Sequence, residues 1–228
     1  MNRFFPLLTL MAVMITAYGQ VSDTVSLSYG KIYVSGKTSD KQIFFKKGNE
    51  IRKISSFKPW EEIYTILLSR DKHKLLIYHK TSQEAGRNLS IMDLSDFSIV
   101  RTVKPGYGGS LFWTNDNNIL MIWGCGSACA CFRLYNMQFH VLQESCESCL
   151  QEFIDEDILV SIPCMVASRG VFKIFSLKDG SLLKEISYFD QYGNYYALEI
   201  SLENQELRVR LMGGQNMDSV IIERIRCE

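Results

Sequence analysis

The amino-acid sequence predicts an all-β fold assembled from a repeated antiparallel unit, and three observations support it. Short runs rich in Val, Ile, Tyr and Phe alternate with turn residues every 8–12 positions or so. No convincing amphipathic helix interrupts them; residues 60–68 are helix-like by composition, but 63–68 suit a buried strand at least as well. The most apolar runs also return at a steady interval. With Tyr33, Leu76, Leu120, Leu159 and Arg208 as markers, the spacings are 43, 44, 39 and 49 residues.

Each unit can be laid out strand by strand. The first is compressed, with strands at 25–27, 32–34, 43–45 and 51–54. The second has its marker strand at 74–78, a third strand at 89–94 and a fourth at 99–103. The third unit repeats this at 119–123, 131–135 and 139–142, and the fourth at 158–162, 171–177 and 182–186. The fifth has 207–211 and 219–225 and stops after its third strand. A polar turn precedes each later marker strand: Arg70-Asp71-Lys72, Asn115-Asp116-Asn117-Asn118, Asp155-Glu156-Asp157 and Glu203-Asn204-Gln205.

In strand order and period these units resemble β-propeller blades, although no Trp-Asp ending and no kelch double glycine is present. The resemblance implies a small five-bladed β-propeller of short three- to four-stranded antiparallel blades. A β-sandwich or an open meander is the alternative.

The chain opens with Arg3, an apolar run over 4–16 and then Ala17-Tyr18-Gly19 before Gln20. That order of charge, apolar stretch and small residues predicts a signal peptide over 1–19 and a single domain over 20–228. The apolar run is shorter than the about 20 residues a bilayer span needs. The expectation is an exported, periplasmic or extracellular monomer with no membrane span after cleavage. Lys+Arg and Asp+Glu balance at 25 each, which argues against nucleic acid and against a polybasic membrane contact.

Seven cysteines in an exported chain read as disulfides with one thiol left over. The candidates for pairing are Cys125, Cys129, Cys131, Cys146, Cys149 and Cys164, and Cys227 is the candidate free thiol. In a blade, the loops between second and third strands share a face with the connectors between blades. Cys125 and Cys129 bracket such a loop, Cys164 sits in the next one, and Cys146 and Cys149 are placed in a connector. Cys125 with Cys129 is locally reasonable, and Cys131 is expected to reach Cys164 or Cys149; the six allow 15 connectivities. Trp123-Gly124-Cys125-Gly126-Ser127-Ala128-Cys129 resembles a Gly-Cys-Gly-x-x-Cys hairpin of small exported bacterial proteins, which implies export and a disulfide. Two other uses of the sulfurs are a zinc site of Cys129, Cys131, Cys146 and Cys149, and a redox Cys146-x-x-Cys149. Disulfides are the reading preferred here, with no metal and no cofactor.

Three connectors carry aromatic residues: Pro59-Trp60, the glycine-rich 104–110 with Tyr107, and 190–196 with Tyr192 and Tyr195. A strand rather than a helix follows 104–110, so this is no phosphate cradle. On the shared loop face, Trp60, Tyr107, Tyr192 and Tyr195 are candidate ligand-binding residues for a protein or a glycan, unless they plug the blade junctions. Asp71, Asp116, Asp155 and Glu203 recur at equivalent places and offer an alternative, a small carbohydrate-active hydrolase; turn formation explains them more simply. His73, His79 and His140 lack ligand spacing and read as surface or packing residues. Asn88-Leu89-Ser90 fits the N-glycosylation pattern. No nucleophile motif is present, and the expectation is a non-enzymatic binding module with no catalytic residues.

Overall fold

A computed structural model describes residues 23–37, 40–58, 61–80, 86–126, 129–154, 157–163, 171–187, 196–203, 206–212 and 218–224. Its strands follow the apolar runs closely. The first sheet is an antiparallel meander of β1 (Thr24–Leu27), β2 (Gly30–Ser35), β3 (Gln42–Lys47) and β4 (Glu50–Lys53). The second is β5 (Glu62–Leu68), β6 (Lys74–Lys80), β7 (Asn88–Asp93) and β8 (Ile99–Val103). The third has seven strands in chain order: β9 (Ser110–Trp113), β10 (Ile119–Gly126), β11 (Cys129–Tyr135), β12 (Val141–Ile154), β13 (Ile158–Pro163), β14 (Val171–Ser176) and β15 (Leu182–Ser187). The last sheet is β16 (Tyr196–Glu203), β17 (Glu206–Met212) and β18 (Asp218–Arg224).

The five separate sheets expected from the repeats are therefore four, because the third and fourth units are joined. β12 pairs with β11 from Val141 to Ser148 and with β13 from Ser148 to Ile154. The stretch between contains no Gly, Pro, Asn or Asp to break an extended chain. It absorbs the change of partner through register shifts at Ala130/Phe132 and Ser148/Leu150. Cys146 and Cys149 thus lie within a strand and not in a connector, which corrects their expected placement. His140 likewise precedes β12 instead of lying in a strand.

The sheets pack face to face through their marker strands. In β6, Leu75 and Ile77 point toward the first sheet and join Ile32, Ile43 and Ile66. Leu76 and Tyr78 point the other way and join Leu111, Trp113, Ile119, Met121 and Trp123. Alternate residues of one strand therefore fill two different interfaces. In β10 the same alternation sends Leu120 toward Leu159, Phe175 and Leu177. Burial on both faces explains why marker strands read as continuous apolar runs. β4 and β8, the last strands of their sheets, are almost wholly exposed.

First strands lie together: β5 touches both β1 and β9, and β12 touches β16. Successive meanders that meet at their first strands and expose their last are the arrangement of a β-propeller. The outcome matches the fold class read from the period.

Polar ties join the turns of neighbouring units. Asn118 Nδ2 donates to the Leu177 and Lys178 carbonyls at 2.8 and 2.7 Å. Asn117 Oδ1 accepts from the Arg70 backbone N–H at 3.0 Å. Trp113 Nε1 donates to the Leu67 carbonyl at 3.2 Å. The turns into the fourth strands also repeat. Asp93 accepts from Ser95, Asn136 from Gln138 and His140, and Asp179 from Ser181. These three side chains stand 43 residues apart in sequence, and each closes its turn through its own downstream N–H groups.

Packing on both faces makes marker positions expensive to truncate. Ile77→Ala should cost about 2–5 kcal/mol in urea unfolding. Val100→Ala on the outer strand, where the side chain is 59% exposed, should stay within about 0.5 kcal/mol of wild type.

Candidate functional site

The connector between β8 and β9 crosses the loop face of the second and third units and brings two arginines and five aromatic rings together. Pro105 is buried at its start and Tyr107 is 59% exposed at its crest. The Tyr107 ring lies flat on Trp123 of β10, with centroids 5.6 Å apart and planes 6° from parallel. Trp123 is buried, so one face of Tyr107 is committed to packing and the ring is held in place. Gly109 lets the connector descend into β9: a Cβ there would fall 2.1 Å from the Ile122 carbonyl oxygen.

Arg133 of β11 braces one side of the connector. It forms a two-pronged ion pair with Glu144 of β12, Nε to Oε2 at 2.9 Å and Nη2 to Oε1 at 2.6 Å. Its Nη1 donates to the Pro105 carbonyl at 3.1 Å and to the Tyr135 hydroxyl at 3.0 Å. The guanidinium also lies over Trp123, 5.5 Å from the ring centroid. The hydrogen bonds it donates to Glu144 raise its pKa above that of a free arginine, so its charge is fixed and locally neutralised.

Arg87 stands on the other side, just before β7. Its guanidinium is 4.8 Å from the Tyr64 centroid and 5.5 Å from that of Tyr78. Nη1 donates to the Tyr78 hydroxyl at 3.0 Å, and this bond is the main reason its pKa is raised. The Tyr64 hydroxyl is also pushed up, mainly by burial and then by the negative charge of Glu62. Gly108 leaves room for Arg87: a Cβ at that position would sit 2.1 Å from Nη1.

Beneath Trp123, Cys131 is its cross-strand partner, and Cys131 is bonded to Cys146 of β12 with Cα atoms 4.0 Å apart. The expected pairing of Cys131 with Cys164 or Cys149 is corrected. The irregularity between Ala130/Phe132 on β11 and Ser148/Ser145 on β12 sets Cys146 opposite Cys131, where strand pairing already brings the backbones together. This bond removes two of the four thiolates a Cys129, Cys131, Cys146, Cys149 zinc site needs. It also leaves Cys146 unable to close a bond with Cys149. Cys125 is disulfide-bonded as well. It occupies the bulge between Gly124 and Gly126 in the β10–β11 ladder.

The other expected residues fall variously. Trp60, Tyr192, Tyr195, Cys164 and Cys227 lie outside the described residues, as do the side chains of Cys129 and Cys149. Tyr107 is thus the one proposed ring described, and it is exposed. Arg87, Arg133, Tyr64, Tyr78 and Trp123 escaped the sequence reading because each sits in an ordinary strand or loop context. Only the strand registers place them together.

Asp71 behaves as a turn former. Burial acts to raise its carboxyl, but hydrogen bonds from the Ser69 hydroxyl at 2.6 Å and the His73 N–H at 3.0 Å outweigh it and hold it below the usual carboxylate range. Asn88 is buried at 2% exposure, so the glycosylation pattern there is closed to a glycan. His79 is a packing residue. Its Nε2 meets the Ser90 hydroxyl at 2.7 Å, its ring lies 4.9 Å from that of Phe57, and Nδ1 is buried without a partner.

No protein-family model matches the chain, and no curated protein matches it in sequence. Solved structures match it in fold. The uncharacterized protein lmo1340 from Listeria monocytogenes EGD-e superposes with a TM-score of 0.52 at 15% identity, over 88% of this chain and 58% of that one. A chain from a structural and mechanistic analysis of two prolyl endopeptidases gives 0.50 at 12% identity, over 89% of this chain and 34% of that one. The β-propeller domain of the Trilobed protease from Pyrococcus furiosus gives 0.47 at 12% identity, over 90% and 83%. This chain therefore spans about a third of the endopeptidase chain and under three fifths of the Listeria protein. At such identities the likeness is one of fold.

Two outcomes follow from the buried groups. Alkylation of the native protein should leave Cys125, Cys131 and Cys146 unlabelled until a reductant is added; labelling of Cys131 without reductant would contradict the bond. Burial lowers the pKa of His79 from 6.5 to about 4. The unfolded imidazole takes its proton first, so stability should be full above pH 6.5 and fall by up to a few kcal/mol toward pH 4. Urea titrations of wild type and His79→Gln across that window should differ by this component, and equal slopes would refute it.

Proposed function

We propose that this chain is an exported, monomeric binding module, and that its partner docks on the loop face around Tyr107. One observation supports this above the others. An exposed tyrosine is held flat on a buried tryptophan, on a connector clamped between two arginines. An aromatic ring whose orientation is settled before binding loses little entropy on contact, and such rings concentrate binding energy at interfaces. The fold supports the same reading, because in this architecture the loops can vary while the sheets hold them in place. Disulfides at Cys125 and Cys131–Cys146 stiffen the floor of the site and suit an oxidising compartment. Five units around one axis, with β12 divided between the third and fourth, is the blade count we propose with it. Cleavage after Gly19 would make Gln20 the mature N-terminus.

The test uses protein recovered from an exporting host. Intact mass should first show a chain beginning at Gln20; retention of residues 1–19 would overturn export by this route. Screening against glycan arrays and extracellular protein extracts should then yield a ligand whose affinity falls about tenfold or more in Tyr107→Ala. Binding that is unchanged in Tyr107→Ala would move the site elsewhere.

A further inference from the structure

The two arginines of the site are not in the same electrostatic state. Arg133 is neutralised by Glu144 through two hydrogen bonds. Arg87 has no carboxylate at ion-pair distance among the described residues; what holds it is a hydroxyl and two tyrosine faces. A guanidinium has five N–H donors, and among the described residues one of those of Arg87 goes to the Tyr78 hydroxyl. Arg87 is exposed, and the residue beside it in space, Gly108, offers no side chain to cover it.

We propose that Arg87 and Tyr107 together form a subsite for a uronic acid residue of an acidic glycan, in which Arg87 takes the carboxylate and the free face of Tyr107 takes the pyranose ring. The proposal rests on the binding reading above and names its ligand. Gly108 touches Arg87, and Tyr107 is its immediate neighbour in the chain, with Cα atoms about 3.8 Å apart. Cation and ring are thus carried against neighbouring residues of one connector. A uronic acid carries its carboxylate directly on the pyranose, so a single residue spans both. A planar carboxylate matches the guanidinium fork, and a charge-assisted pair of this kind is stronger than a neutral hydrogen bond. The C–H face of a sugar matches the apolar face of a tyrosine, which Trp123 backs from the far side and keeps from rotating. An acidic peptide would satisfy Arg87 equally but would not need a flat, pre-stacked ring next to it.

The experiment titrates the full mature protein with oligogalacturonate, with the neutral galacto-oligosaccharide of the same length and with a tetraglutamate peptide. Oligogalacturonate should bind, and the neutral sugar and the peptide should bind at least about tenfold more weakly, the discrimination one charge-assisted pair supplies. Arg87→Gln should lose about tenfold in affinity for oligogalacturonate. Gly108→Ala should lose a similar amount while keeping the charge, because its Cβ displaces the guanidinium. Lys104→Gln, an exposed charge on the same connector, should change affinity less than about twofold. Circular dichroism and the urea midpoint establish that each variant is folded. Absence of oligogalacturonate binding overturns the proposal, as does equal binding of the neutral sugar, or tighter binding of the peptide. Equal losses in Arg87→Gln and Lys104→Gln also overturn it, as general charge attraction. If Tyr107→Ala abolishes binding of some other ligand while Arg87→Gln does not, the loop face stands as the docking surface and the uronate subsite fails alone.

Discussion

Everything in this fold depends on strands that bury both faces. β6 sends Leu75 and Ile77 into one interface and Leu76 and Tyr78 into the next, and β10 does the same with Leu120 against Ile119 and Met121. A sheet that keeps one face in water can stand on a single core. A sheet packed on both faces requires a neighbour on each side. Each unit is therefore completed by the one before and the one after it, which is why a module of about 40–45 residues recurs instead of standing alone. The polar ties at the turns, such as Asn118 to the carbonyls of Leu177 and Lys178, set the angle at which neighbours meet. The apolar strands supply the attraction.

The site is a product of that packing. A connector between two sheets has to cross the seam where they meet, and the seam here is lined by Tyr78, Trp123 and Tyr135. Crossing it at close range requires glycine, hence Gly108 and Gly109. Tyr107, between Gly106 and Gly108, stacks on the buried Trp123 and stays largely exposed. The arginines on either side do different work. One pins the backbone of the connector, and the other is set on tyrosines with its charge outward. The same Trp123 that supports Tyr107 pairs across the ladder with Cys131. The disulfide to β12 thereby stiffens the floor of the site as well as the sheet.

Strand positions were almost entirely legible in the sequence, because period and apolarity report burial directly. Every marker run, from Lys31-Ile32-Tyr33-Val34 onward, became a strand. The junction of the third and fourth units was not legible. Ser, Glu and Cys between Leu142 and Leu150 look like a connector by polarity, yet nothing there forbids an extended backbone, and pairing with β11 and β13 keeps it extended. The cysteine pairing failed to show for a related reason. A bulge shifts which residues stand opposite each other, and one residue of shift chooses among partners. Of the site, the connector and Tyr107 could be read from glycine and aromatic content. Arg87, Tyr64 and Trp123, far apart in sequence, could not.

By itself, then, the sequence determined the period, the strand assignments and the all-β class, since these depend on which residues avoid water within a few positions of one another. The tertiary structure alone decided that β12 serves two units, that Cys131 meets Cys146, and that Arg87 lies against the connector that carries the exposed Tyr107. Those features depend on register and on the approach of one sheet to another. Neither leaves a trace in local composition, because a shift of one residue alters every cross-strand neighbour while changing no letter of the chain.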